Sequence, residues 1–173
     1  LTGAGEGTLT RGGVVINFSE MEDLDGAGGS NTLTFAGGGS IAGTVSNFDN
    51  VTLTSAGGAN ADTITVQLNP TTGILEVVKF DQVAMTTTTD SFFALGANTN
   101  VTLEVEGNAG ADTIVIDHRN GFINADISVN PSGGAGSDTI QVFGTGAHSG
   151  TYLPGDDTDN GTATVTDGVN TKT

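Results

Sequence analysis

Short runs with period-two alternation of apolar and polar residues, none long enough for a helix, limit what this chain can fold into. They are Val14-Val15-Ile16-Asn17-Phe18, Thr32-Leu33-Thr34-Phe35, Val51-Thr52-Leu53-Thr54, Thr63-Ile64-Thr65-Val66 and Ile74-Leu75-Glu76-Val77-Val78. They continue with Val101-Thr102-Leu103-Glu104-Val105, Thr113-Ile114-Val115-Ile116, Ile127-Ser128-Val129 and Thr139-Ile140-Gln141-Val142-Phe143. Each is rich in β-branched residues and bounded by Gly, Asn, Asp or Pro, the pattern of strands between turns. No window carries apolar residues at i, i+3, i+4, i+7 over three turns. The reading is all-β.

One motif recurs between the runs. It stands as Gly26-Ala27-Gly28-Gly29-Ser30-Asn31-Thr32-Leu33 and as Gly57-Gly58-Ala59-Asn60-Ala61-Asp62-Thr63-Ile64. It returns as Gly107-Asn108-Ala109-Gly110-Ala111-Asp112-Thr113-Ile114 and Gly133-Gly134-Ala135-Gly136-Ser137-Asp138-Thr139-Ile140. The shared form is a Gly-rich turn, then Asp or Asn, then Thr, then an aliphatic residue opening a strand. From Asn31 to Asp62 is 31 residues, from Asp62 to Asp112 is 50, and from Asp112 to Asp138 is 26. These intervals fit one, two and one units of roughly 25 residues, within the range of stacked repeats. The missing copy would fall near Asp90, as a degenerate coil. The spacing predicts a right-handed parallel β-helix with coils of about 25 residues, with a β-sandwich as the runner-up. Residues 1–173 are read as a single β-solenoid domain, a segment or tandem unit of a longer repeat protein or filament.

The Gly-Gly-x-Gly-x-Asp-x-aliphatic form resembles the calcium-binding nonapeptide of RTX proteins, and Gly133 to Ile140 matches it best. Here each copy stands alone instead of following the last directly. The chain is also similar to haemagglutinin-like β-helical repeats of large bacterial surface proteins. Their units include a phrase such as Phe18-Ser19-Glu20-Met21-Glu22-Asp23-Leu24 before the Gly-rich turn. The resemblance implies export, tandem arrangement and duty at a cell surface or in a matrix. The stretch Gly161-Thr162-Ala163-Thr164-Val165 resembles Gly7-Thr8-Leu9-Thr10-Arg11. Without polar caps at the ends, open strand edges invite stacking on another copy or tandem unit.

Charge narrows the partners. Lys plus Arg number 4 and Asp plus Glu 20, a net charge of −16. Such a surface repels nucleic acid and anionic lipid, which both need basic groups to replace their counterions. It attracts cations and stays hydrated. Cysteine is absent, so disulfides, thiolate metal sites and Cys nucleophiles are excluded. No apolar run approaches the roughly 20 residues that span a bilayer as a helix. The chain begins at Leu1 rather than Met, and it reads as a matured chain or a segment cut from a longer one. The expected location is extracellular, at the cell surface.

The turn aspartates Asp62, Asp112 and Asp138 are the leading candidate metal ligands. Their carboxylates and the turn carbonyls are the oxygen donors Ca²⁺ takes in sets of 6–8. The same residues also make Asx turns without a metal, and Asn31 in the equivalent slot carries no charge. Asp156, Asp157 and Asp159 form a second candidate set, in Asp156-Asp157-Thr158-Asp159-Asn160-Gly161. Alternate oxygen ligands before Gly resemble the opening of an EF-hand loop, but the bidentate Glu that closes one is missing. Glu20, Glu22, Asp23 and Asp25 either bind a cation or keep an edge soluble. Ca²⁺ is the one cofactor these patterns admit.

Catalysis finds no support in the residues. Asp117-His118-Arg119 forms a local charge triad, and His148 lies in a glycine-flanked turn, yet no recognisable nucleophile motif accompanies either. A lyase needs a cationic base, and Arg11, Lys79, Arg119 and Lys172 are scattered. A glycosidase needs two opposed carboxylates, and aromatic sugar platforms are scarce, with one Tyr and no Trp. Thr-x-Thr pairs such as Thr52-Leu53-Thr54 and Thr63-Ile64-Thr65 resemble ice-binding ranks, without a constant interval. The expectation is therefore a structural or adhesive repeat domain of a bacterial surface protein, surface layer or filament, not an enzyme, with Ca²⁺ as a stiffening ion. Self-association and a surface or carbohydrate partner are expected. The alternative is a carbohydrate-active or ice/lattice-binding module.

Overall fold

The alternating runs become strands wherever the structure describes them. The computed structural model describes residues 7–11, 14–18, 24–25, 32–36, 45–46, 48, 50–94, 100–130, 138–144, 149–154, 161–166 and 171–172. In chain order the strands are β1 (Gly7–Arg11), β2 (Val14–Phe18), β3 (Leu24–Asp25), β4 (Thr32–Ala36), β5 (Val45–Ser46) and β6 (Asn50–Ala56). Next come β7 (Asp62–Leu68), β8 (Leu75–Asp81), β9 (Thr86–Ser91), β10 (Val101–Glu106) and β11 (Thr113–Asp117). The last are β12 (Asp126–Asn130), β13 (Thr139–Phe143), β14 (Ser149–Pro154), β15 (Gly161–Thr166) and β16 (Thr171–Lys172). Among the described residues there is no helix, and hence none long and apolar enough to cross a membrane.

The strands assemble into separate sheets, which corrects the expectation of a right-handed parallel β-helix. One sheet has six strands in the order β12-β10-β6-β4-β1-β2, and another has five in the order β13-β11-β7-β8-β9. In the first, β4, β6, β10 and β12 run parallel, but β1 meets both β2 and β4 antiparallel. In the second, β7, β11 and β13 run parallel, whereas β8 lies antiparallel to both β7 and β9. A small sheet, β14-β15-β16, is antiparallel throughout, and β3 pairs with β5.

The physical cause of the correction lies in residues 69–91. They hold no coil at Asp90. They fold as an antiparallel excursion closed by two local turns. At the first, the Asn69 side chain accepts the Thr71 and Thr72 amides at 2.9 and 3.0 Å, and Gly73 takes φ 70°. At the second, Asp81 accepts the Val83 and Ala84 amides, both at 2.8 Å. A side-chain oxygen capping the amides two and three residues on is the Asx device that reverses a chain. The 50-residue interval is therefore not two units. Asp62 and Asp112 belong to adjacent parallel strands, with Thr63 opposite Thr113.

Both sheets bury one face in a common core. Leu33, Val51, Leu53, Val101, Leu103 and Val105 from the six-stranded sheet cluster with Ile64, Val66, Leu75, Val77, Ile114 and Ile116 from the five-stranded one. Phe92, Phe93 and Ile123 complete it from connecting segments. Because the pairing is in register, like meets like: Val51 faces Val101, Leu53 faces Leu103 and Ile64 faces Ile114. Each fully buried aliphatic side chain contributes about 1.5–3 kcal/mol. The column thins at β13, where Ile140, paired with buried Ile114, is 51% exposed and Val142 41%.

Candidate functional site

The Gly-rich turns carry the chain from the six-stranded sheet into the five-stranded one, from β6 to β7 and from β10 to β11. Each delivers an aspartate to the entry of a strand, where the first amides of a parallel ladder lack partners. The carboxylates fill that gap. Asp112 Oδ1 accepts the Asp62 amide at 2.8 Å, and Asp138 Oδ1 accepts the Asp112 amide at 2.9 Å. The Thr139 amide returns a bond to the Asp112 carbonyl at 2.8 Å. Within its own turn, Asp62 Oδ2 accepts the Gly58 amide. The turns also hold each other: the Gly57 amide donates to the Glu106 carbonyl and Asn108 Nδ2 to the Gly57 carbonyl, each at 2.8 Å. Amide bonds to ionised carboxylates are roughly twice as strong as neutral ones.

Gly57, Gly107 and Gly110 are dictated by this contact. A Cβ at Gly107 would lie 2.6 Å from Asp112 Oδ2. A Cβ at Gly110 would lie 2.6 Å from the backbone of Asn60 and Ala61, and its φ of 130° strains any L side chain.

Asp112 is the most deeply buried of the three ladder aspartates. It is 1% exposed, and its Oδ2 has no hydrogen-bond partner. Burial raises its carboxyl above the ordinary aspartate value. The hydrogen bond from the Asp62 amide opposes that rise, and the charges of Asp138 and Asp62 add to it.

The other expected positions fall elsewhere. Asp156, Asp157, Asp159, Asn31, Glu20, Glu22, Asp23 and His148 lie outside the described residues. Asp25 ends β3 and is exposed. Asp117, His118 and Arg119 gather at the end of β11, where they close a turn. Arg119 grips both carboxylate oxygens of buried Asp117, with Nη2 to Oδ2 at 2.6 Å and Nε to Oδ1 at 2.8 Å. That grip, above all the Arg119 hydrogen bonds, lowers the Asp117 carboxyl. The Arg119 guanidinium also sits 5.0 Å from the centre of the Phe143 ring. His118 is buried, stacks on Phe122 at 5.0 Å and accepts the Ile123 amide on Nδ1 at 3.1 Å.

A polar group that the sequence reading did not single out joins the two sheets. Ser55 on β6 donates from Oγ to Asp90 Oδ2 on β9 at 2.6 Å, and Lys79 Nζ on β8 reaches the same oxygen at 2.7 Å. The signal was present: Ser55 follows Val51 and Leu53, and Lys79 follows Leu75 and Val77, each at a core-facing position of the alternation.

The threonines form partial ranks. Thr34, Thr52 and Thr102 lie side by side in register, ending at Asp126, while the next file reads Ala36, Thr54, Glu104 and Ser128. Among the described residues, no group of three or more His, Asp or Glu is placed to hold a metal ion. No family model matches the chain, and no curated protein or solved structure matches it.

Proposed function

We propose that the domain is a structural module of an extracellular bacterial surface protein, serving to space or present neighbouring modules and not to turn over a substrate. The observation that supports this best is the aspartate ladder. Two carboxylates, those of Asp112 and Asp138, tie the entries of three successive parallel strands while matching aliphatic residues fill the core between the sheets. This arrangement resists deformation at the turns, where a sheet protein otherwise frays. A surface with 20 acids and 4 bases keeps such a module hydrated and clear of polyanions.

Stacking on a tandem unit or a second copy belongs to the same reading. Edge strand β13 carries no ionisable side chain, and Ile140, Val142 and Phe143 are all exposed on it. Unguarded apolar edges are the ones that pair with another chain.

The test is display. An antibody raised against the purified domain should label intact source cells. Labelling only after permeabilisation would overturn the proposal.

A further inference from the structure

The aspartate ladder stops one step short. The Asp62 amide finds the Asp112 carboxylate, and the Asp112 amide finds that of Asp138. The pattern calls for one more carboxylate at the Asp138 amide, and among the described residues none accepts it.

The strand that follows is open in the same direction. The Thr139 amide bonds to the Asp112 carbonyl, and the Phe143 carbonyl accepts the His118 amide. Alternate residues of a parallel strand bond to opposite neighbours, so Ile140 and Val142 turn their N–H and C=O groups away from β11. Their side chains continue the files Ile64–Ile114 and Val66–Ile116, buried on β7 and β11. Yet all five residues of β13 are exposed. The opposite edge of this sheet, β9, differs, because its exposed side chains, Thr86 to Thr89, are polar. The six-stranded sheet ends in the same unit, at β12, where Ile127 and Val129 are likewise only partly buried.

We propose that this end accepts one further unit of the repeat, whose Asp-Thr-aliphatic strand adds to β13 in parallel and whose aspartate receives the Asp138 amide. The requirement is positional. An acid stands level with Asp138, and aliphatic side chains stand level with Ile140 and Val142. The turn before the acid is glycine-rich, since a Cβ at Gly110 would lie 2.6 Å from the backbone of the turn beside it. Strand addition takes its affinity from the main chain and its specificity from alternate side chains. Two β13 edges meeting about a two-fold axis would run antiparallel and bring no carboxylate to the Asp138 amide. The inference rests on the stacking reading above and adds the direction, register and chemistry of the partner.

The probe is a synthetic peptide of residues 107–117, containing Gly107, Gly110 and Asp112-Thr113-Ile114-Val115-Ile116, added to the whole chain. In NMR titration the Asp138, Ile140 and Val142 amides should shift saturably. A peptide carrying Asp112→Ala should bind about tenfold more weakly, the loss of one hydrogen bond to a charged acceptor. A nitroxide on the peptide N-terminus should broaden Thr139 more than Phe143. Absence of a saturable shift, equal binding by the Asp112→Ala or a scrambled peptide, or broadening strongest at Phe143 would each overturn the proposal. Surface labelling of cells without peptide binding would overturn this inference alone, and peptide binding without surface labelling would overturn only the display reading.

Discussion

Ser55 of the six-stranded sheet and Asp90 of the five-stranded sheet share a hydrogen bond of 2.6 Å inside the protein, and Lys79 closes on the same carboxylate oxygen at 2.7 Å. Asp90 is 4% exposed and Ser55 3%. The charge on Asp90 is thus compensated from both sheets at once. Only a particular alignment of the excursion against β6 brings the three groups together.

Removing the acid should hurt more than removing the hydroxyl. Asp90→Ala leaves the Lys79 ammonium, with 18% of its side chain exposed, facing a gap, and should cost about 3 kcal/mol in urea unfolding. Ser55→Ala should cost about 1 kcal/mol. The double variant should cost less than the two combined, because they share one partner. Strict additivity would show that the residues do not act together.

The glycines should sort by surroundings. Gly110→Ala meets backbone 2.6 Å away at φ 130° and should lower stability by more than about 2 kcal/mol. Gly73→Ala, at φ 70° with open space around it, carries only the left-handed strain, about 1 kcal/mol. Thermal midpoints rank the two, and equal losses would contradict the close approach at the ladder turn.

Asp117 should make the domain more sensitive to acid. Its folded carboxyl is lowered by the Arg119 hydrogen bonds, so its contribution is present above the unfolded aspartate value and is lost as pH falls through the folded one. Arg119 is 57% exposed along its side chain, so solvent screens the pair and keeps its contribution small. Arg119→Gln should remove that part of the acid sensitivity below about pH 4. An unchanged acid limb in a stability–pH profile would count against the pairing.

Self-association should depend on β13. Val142→Lys places a charge on the edge strand at a position already 41% exposed, and such charges are how natural sheet edges avoid pairing. In sedimentation velocity the parent should shift to larger species as concentration rises and the variant should not. Identical profiles would remove β13 as a contact.

The strands were legible because side-chain alternation records which face each residue presents to the core. Val51-Thr52-Leu53-Thr54 lies within β6 and Val101 to Val105 within β10. Partnership was not legible, because alternation is silent on direction and on which strand lies alongside. Equal spacing does not specify pairing, and the two reversals encoded by Asn69 and Asp81 override it on the way to Asp90. The ladder aspartates were visible as a motif. Their bonds to one another's amides were not, since the 50 residues between Asp62 and Asp112 conceal that the two are neighbours.

The excursion extends the five-stranded sheet beyond β7 with β8 and β9, and the chain then takes its place in the six-stranded sheet at β10, parallel to β6, without disturbing the Asp62–Asp112 bond. Chain length between two steps of the ladder is therefore uncoupled from the ladder itself. Val83 and Met85, at the outer turn of the excursion, are 70% and 71% exposed. A foreign peptide spliced at that tip would be carried outward like a flag on a mast, with the scaffold below it unaltered.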